Sequence, residues 1–275
     1  MQDTKTASLT PRLVEKPWGR DRLPAPFPQA QDARIGELWF EPPAELDELL
    51  VKYIFTSEKL SVQVHPSDAQ TMAQGLGKQG KEECWLILAT EPGATLGIGF
   101  NEPLDGDAMR AAALDGSIEG LMEWHAVAPG DFFYIPANTV HAIGAGVTLI
   151  EVQQNSDITY RLYDYGRPRP LHLDESIAVA KGERYSREDW YQHIAPQGSQ
   201  VIVDGPLFML DQVDGAPAAG VAERYTGTLL VIPRTGSVLV DGEPIAAGSC
   251  ALATSLGAVS FTPGAVCLIA AACKP

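Results

Sequence analysis

Short runs of alternating or β-branched apolar residues, separated by turn residues, occupy most of the chain. Such runs suit strands half-buried on a pleated surface. They predict strands over Ile35–Phe40, Leu50–Phe55, Leu60–His65, Glu82–Ala89 and Ala94–Ile98, then Asp131–Ile135, Val140–Ile143, Val147–Gln153 and Asp157–Tyr163. A second series follows at Phe208–Asp214, Thr228–Pro233, Ser237–Val240, Cys250–Ala253, Ala258–Thr262 and Val266–Ala271. Two stretches break the alternation. Asp105–Trp124 is rich in Ala, Leu and Met with a break near Gly116, and Asp174–Lys181 places Asp174 as an N-cap; both predict helix. With 21 prolines and 26 glycines as punctuation, and hairpin chemistry at Asp241-Gly242 and Pro263-Gly264, the pattern predicts a mainly β chain of sandwich or barrel type. The segment Pro196–Pro206 divides it into two similar β-barrels, residues 1–195 with a helical insertion near 104–124, and residues 196–275.

The strand period also sorts the polar residues. Side chains two apart share a face, so Ser61, Gln63 and His65 line one side of their strand while Leu60, Val62 and Val64 back the other. Lys81, Glu83 and Trp85 form a second such row. Pro129-Gly130-Asp131, followed by Phe132–Pro136 and then His141, is the strand–turn–strand segment that delivers a metal-binding histidine in double-stranded β-helix (cupin) proteins. Gln63, His65, Glu83 and His141 therefore make a candidate metal site of two nitrogens and two oxygens. That set suits zinc with a position left for water or substrate, and also iron, manganese, cobalt or nickel. His125, His172 and His193 are read as structural.

Composition changes this picture little. Apolar residues make up 45% and charged residues 20%, as in an ordinary globular protein. A formal charge of −15 excludes a role dominated by nucleic-acid phosphates or anionic lipid. The four cysteines show no paired ligand spacing, and neither a signal region nor an apolar run of membrane-spanning length occurs, so a cytoplasmic protein is expected.

Several segments together resemble type I mannose-6-phosphate isomerases of the short bacterial kind, within the cupin superfamily. They are Lys16-Pro17-Trp18-Gly19, Ile35-Gly36-Glu37-Leu38-Trp39, Leu60–Asp68, Gly80–Trp85, Ile135–Ala142 and Glu151–Asp164. The resemblance covers most of residues 16–167, and the C-terminal third adds little to it. It implies a monomeric enzyme with one zinc ion per chain that interconverts mannose 6-phosphate and fructose 6-phosphate. It puts the zinc ligands on Gln63, His65, Glu83 and His141, and pocket residues on Trp18, Glu37, Lys52, Ser61, Lys81, Glu151, Asp157, Arg161 and Arg167. The sequence departs from the longer family members in having Lys81-Glu82-Glu83 where they carry Lys-Pro-Glu, and Ile143 where they carry an aromatic.

Aldose–ketose isomerisation needs a group that moves a proton between two sugar carbons. Glu151 and Lys81 are the candidates, Lys81 on the expectation that a metal's like charge lowers its pKa. Arg161, helped by Arg167, is assigned to the phosphate because guanidinium matches its oxygens two at a time. Trp18 and Trp85 serve either as sugar-stacking groups or as core, and the Gly75–Gly80 loop is read as a flexible rim rather than a phosphate cradle. Two other functions fit parts of the pattern: a non-catalytic sugar-phosphate-binding cupin, and a metal-dependent cupin oxygenase. The second usually needs a further histidine beside His65, which the sequence lacks.

Overall fold

The computed structural model describes residues 7–273. Twelve strands belong to residues 11–193. They are β1 (Pro11–Arg20), β2 (Ile35–Phe40), β3 (Leu49–Phe55), β4 (Val62–Val64), β5 (Glu83–Thr90) and β6 (Thr95–Phe100), then β7 (Met122–Ala126), β8 (Asp131–Ile135), β9 (His141–Ile143), β10 (Val147–Gln154), β11 (Tyr160–Tyr163) and β12 (Tyr191–His193). They form two antiparallel sheets, one of seven strands in the order β1-β2-β3-β10-β5-β8-β12 and one of five in the order β11-β4-β9-β6-β7. Between these sheets Trp18, Ile54, Trp85, Leu96, Ile98, Phe133 and Leu149 pack as one apolar cluster.

Eight further strands run from β13 (Gln200–Asp204) and β14 (Phe208–Asp214) through β15 (Leu229–Thr235), β16 (Ser237–Val240), β17 (Glu243–Ala246) and β18 (Ala251–Ala253) to β19 (Val259–Ser260) and β20 (Val266–Ala272). They build a five-stranded sheet, β13-β14-β20-β15-β18, and a three-stranded one, β17-β16-β19. The largest apolar cluster crosses the sequence division. Leu38, Tyr53, Phe55 and Ile150 meet Ile202, Phe208, Leu230 and Leu268 in it, so the outer face of the seven-stranded sheet is covered by the C-terminal strands. The N-terminal segment is tied there too: Leu9 N donates to Cys250 O and Leu252 N to Ala7 O, both at 2.9 Å.

Each expected strand is present, but β1, β7, β12, β13 and β17 were not expected, and the helices correct the pattern further. The stretch expected as one helix over Asp105–Trp124 is two, α2 (Gly106–Asp115) and α3 (Ile118–Leu121), after a short α1 (Asp68–Ala73). Gly116 ends α2 in the left-handed region at φ 82°. Met122 to Trp124 are not helical but begin β7, where they pair with β6. The helix near Asp174 is α4 (Leu173–Val179), with His172 rather than Asp174 at its N-cap position. Two more short helices, α5 (Arg187–Trp190) and α6 (Ala219–Arg224), complete the set. Among the described residues no helix is long and apolar enough to cross a membrane.

Candidate active site

The predicted polar rows face each other across the gap between the first two sheets. β4 carries Gln63, with His65 just past its end, and β9 pairs His141 directly opposite Gln63. Glu83 opens β5 in the opposing sheet. One oxygen of Glu83 and one nitrogen each of His65 and His141 lie within 4.8 Å of one another, and all three residues are buried. Among the described residues this is the one such group of three or more His, Cys, Asp or Glu side chains.

Both imidazoles are oriented from behind. The Nδ1 of His65 lies 2.8 Å from the carbonyl of Ile158, and that of His141 lies 2.9 Å from the carbonyl of Thr139. A carbonyl only accepts, so each Nδ1 carries the proton and each Nε2 keeps a lone pair aimed into the gap. Glu83 Oε1, 3.4 Å from the Nε2 of His141, is buried without a hydrogen-bond partner. Burial, followed by the charge of Lys81, holds both histidines well below their ordinary pKa, His141 at about 3. Burial and then the like charge of Glu151 push Glu83 upward. Two neutral imidazoles and an under-satisfied buried carboxylate converging on one point fit a divalent cation. Gln63 borders the same point, its amide nitrogen 3.3 Å from His141 Nε2 and its oxygen accepting from Ser61 Oγ at 3.1 Å. A turn about its last torsion exchanges these two atoms.

Of the four metal-ligand candidates Gln63 lines a cavity of about 260 Å³, and Lys81, which also lines it, contacts Glu83 and His65 behind the wall. Of the residues expected in the pocket, Trp18, Glu37, Lys52, Ser61, Lys81, Glu151, Asp157 and Arg161 all line it. Lys52 pairs with Glu151 at 3.1 Å, and both side chains are buried. Trp85 donates its indole N–H to the other oxygen of Glu151 at 2.9 Å. Trp18 and Trp85 thus reach the cavity while belonging to the apolar cluster. A roomier cavity of about 540 Å³ near Phe27, Tyr53 and Ile194 is walled mainly by apolar groups and gathers no acid–base pair.

One expectation, the place of Arg167 in the pocket, is corrected. The Lys81 ammonium pairs with Glu83 and lies 3.1 Å from His65 Nε2. Among the protein's own groups, burial pulls its pKa down, but the carboxylates of Glu151 and Glu83 outweigh burial and the net direction is up. Arg167 does not line the cavity. It is tied to Glu58, Asp164 and the Lys59 carbonyl, and Arg169 reaches the wall instead.

Lys16, Trp39, Thr159 and Arg169 are wall residues that the sequence reading missed. Lys16 pairs with Glu37 at 3.1 Å, and Trp39 donates to Glu37 at 2.6 Å while Lys52 lies over its ring. The two-residue phase that grouped Gln63 with His65 also joins Trp39 to Glu37 and Lys16 to Trp18. Arg169 lies in a loop, where no period applies.

Gly80 sets the spacing between the two ligand segments. Its N–H donates to Asp68 at 2.7 Å, and the next N–H, of Lys81, donates to the Pro66 carbonyl at 3.0 Å. A Cβ there would lie 2.3 Å from the Pro66 oxygen and 2.4 Å from the Ser67 carbonyl carbon. Gly80→Ala is expected to cost about 1–3 kcal/mol of stability and to weaken metal binding as His65 and Glu83 are forced apart. Chemical denaturation with a zinc titration checks this; an unchanged midpoint and affinity would show that the segments yield freely.

No family model matches the chain. Over 203 residues, 71% of this chain and 64% of the relative, it is 43% identical to mannose-6-phosphate isomerase ManA of Bacillus subtilis (strain 168). Over 179 residues, 62% of this chain and 56% of the relative, it is 35% identical to mannose-6-phosphate isomerase of Streptococcus mutans serotype c. The match thus spans less than two thirds of either relative's length. Among solved structures, mannose 6-phosphate isomerase from Bacillus subtilis superposes with a TM-score of 0.76 at 22% identity, over 96% of this chain and 98% of that one. A zinc-bound mannose 6-phosphate isomerase superposes with a TM-score of 0.71 at 15% identity, over 97% and 99%. The resemblance carried by the motifs is borne out by these relatives, and the fold is shared with the solved structures.

Proposed function

We propose that the chain is a zinc-dependent aldose–ketose isomerase that interconverts mannose 6-phosphate and fructose 6-phosphate. The observation that carries this reading is a buried His–Glu–His group reached by Gln63 and Lys81, two residues that line the same cavity as the buried Lys52–Glu151 pair. The relatives support the choice of reaction and sugar. In this reading the first two sheets are a cupin domain over residues 1–195, and residues 196–275 form a metal-free cupin-like β domain. The reading takes the chain as a monomer, as the family resemblance implies.

Gln63, His65, Glu83 and His141 would hold one zinc ion per chain, which when bound supplies a Lewis acid for charge developing on the sugar's O1 and O2. Glu151 takes the C2 proton and returns it to C1. Lys81 and Lys52 pull its pKa downward against the opposing effect of burial, so it is an ionised acceptor at neutral pH. Lys81 remains an ammonium and steadies the negative charge of the enediol as the proton moves between carbons. Lys52 and the Trp85 indole fix the carboxylate's direction. Glu37, Ser61, Asp157 and Trp18 present polar and aromatic edges to the sugar, and Arg161 takes the phosphate.

The test is a coupled assay for fructose 6-phosphate formed from mannose 6-phosphate, before and after chelation. Turnover by the zinc-loaded protein, lost with the metal and restored by its return, is the expected result. A zinc-loaded protein without turnover would overturn the reading.

A further inference from the structure

β11 pairs Arg161 with Gln63 of β4, so the arginine enters the cavity beside a proposed metal ligand. The chain beyond β11 then folds back on it. His172 N donates to the Arg161 carbonyl at 2.8 Å, Arg161 N donates to His172 Nδ1 at 3.1 Å, and Arg161 Nη1 donates to the Pro170 carbonyl at 2.9 Å. This return places Arg169 on the same wall.

Asp164 governs how the arginines divide. Its carboxylate, 2% exposed, accepts Nε and Nη2 of Arg169, both at 2.6 Å. That two-pronged pair occupies one edge of the guanidinium and leaves the Nη1 edge available. Arg167 also reaches Asp164, at 3.1 Å, but turns its other donors to Glu58 and the Lys59 carbonyl. Arg161 has no carboxylate partner among the described ion pairs. Burial, and then the like charge of Arg169, hold it below the usual arginine range. Both guanidiniums line one cavity in a chain of net −15, and the repulsion between them would be relieved by an anion held by both.

We infer that Arg161 and Arg169 form a two-guanidinium clamp for a phosphoryl dianion, with Asp164 as the residue that positions Arg169. This rests on the sugar-phosphate reading and deepens it by naming the second arginine. Arg167 is a tether between the return loop and the Glu58–Lys59 segment and touches no ligand.

The test compares inorganic phosphate binding by calorimetry with steady-state kinetics, using the zinc-loaded full chain. Arg169→Ala is expected to weaken phosphate binding and raise KM for mannose 6-phosphate by about tenfold to a hundredfold, with much less change in kcat. Arg169→Lys restores only part of the loss, because an ammonium lacks the fork. Asp164→Asn shifts KM in the same direction, and adding it to Arg169→Ala brings little more. Arg167→Ala lowers the thermal midpoint and leaves KM and phosphate affinity as in the wild type. If Arg169→Ala does not fold, Arg169→Gln, which keeps a donor for Asp164, takes its place. Equal phosphate affinity in wild type and the Arg169 variant, or an equal loss in Arg167→Ala, would overturn the clamp. Wild-type protein that binds phosphate through Arg169 but never turns over the sugar would leave the clamp standing and remove the isomerase.

Discussion

His141→Ala is expected to reduce zinc in the purified protein from about one equivalent to a small fraction, and turnover of mannose 6-phosphate by about a thousandfold or more. His141 contributes one of the two imidazole nitrogens facing Glu83, and its ring also packs edge-on against Trp85, with centroids 5.3 Å apart. Alanine removes the ligand and opens space beside Trp85, so the thermal midpoint falls as well. Alanine at His125 separates the two effects. That imidazole is also buried, but it packs against Phe133 and Tyr185 away from the metal group. His125→Ala should destabilise the fold without lowering zinc content. Elemental analysis alongside the coupled assay reads both quantities. Full zinc occupancy in His141→Ala would show that the metal is held elsewhere.

The second large effect is expected at Glu151. Glu151→Gln keeps the side chain's size but removes the proton acceptor, and general-base losses run to about 10²–10⁴-fold. Exchange of the C2 hydrogen with solvent should fall with turnover, while zinc remains bound. The same change leaves Lys52 buried without its counter-charge, and breaking a buried pair costs about 3–5 kcal/mol. Lys81→Met is the informative contrast. If Lys81 is an ammonium that steadies charge, its loss slows turnover but leaves slow exchange at C2. Exchange that persists in Glu151→Gln and disappears in Lys81→Met would reverse the two assignments. Proton inventories by nuclear magnetic resonance in deuterated water supply the measurement.

Strand phase made the centre of the site legible. Alternation gave Gln63, His65 and Glu83, the strand–turn–strand segment gave His141, and β4, β5 and β9 bring them together, with His65 just past the end of β4. Electrostatics was less accessible, because the direction of a lysine's pKa depends on which carboxylates surround it in space. Glu151 lies far from Lys81 in sequence, yet its charge is the largest influence raising that lysine. The helix expected through Trp124 failed for a related reason: Ala, Leu and Met favour helix locally, but the open edge of β6 recruits Met122 to Ala126 as a strand. Arg169 was hidden because only the loop's return onto β11 gives it a place.

The tie between the first described residues and the C-terminal sheet bears on synthesis. Ala7 N donates to Glu243 across a separation of 236 residues, and Ser8 bridges to Ala251. At roughly 5–20 residues per second, Ala7 waits about ten to fifty seconds on the ribosome for that partner to be made. The proposed metal ligands all precede β10 and can gather during this interval. The covering of the seven-stranded sheet's outer face is therefore the step that closes last, and until then that apolar face is what a chaperone would meet.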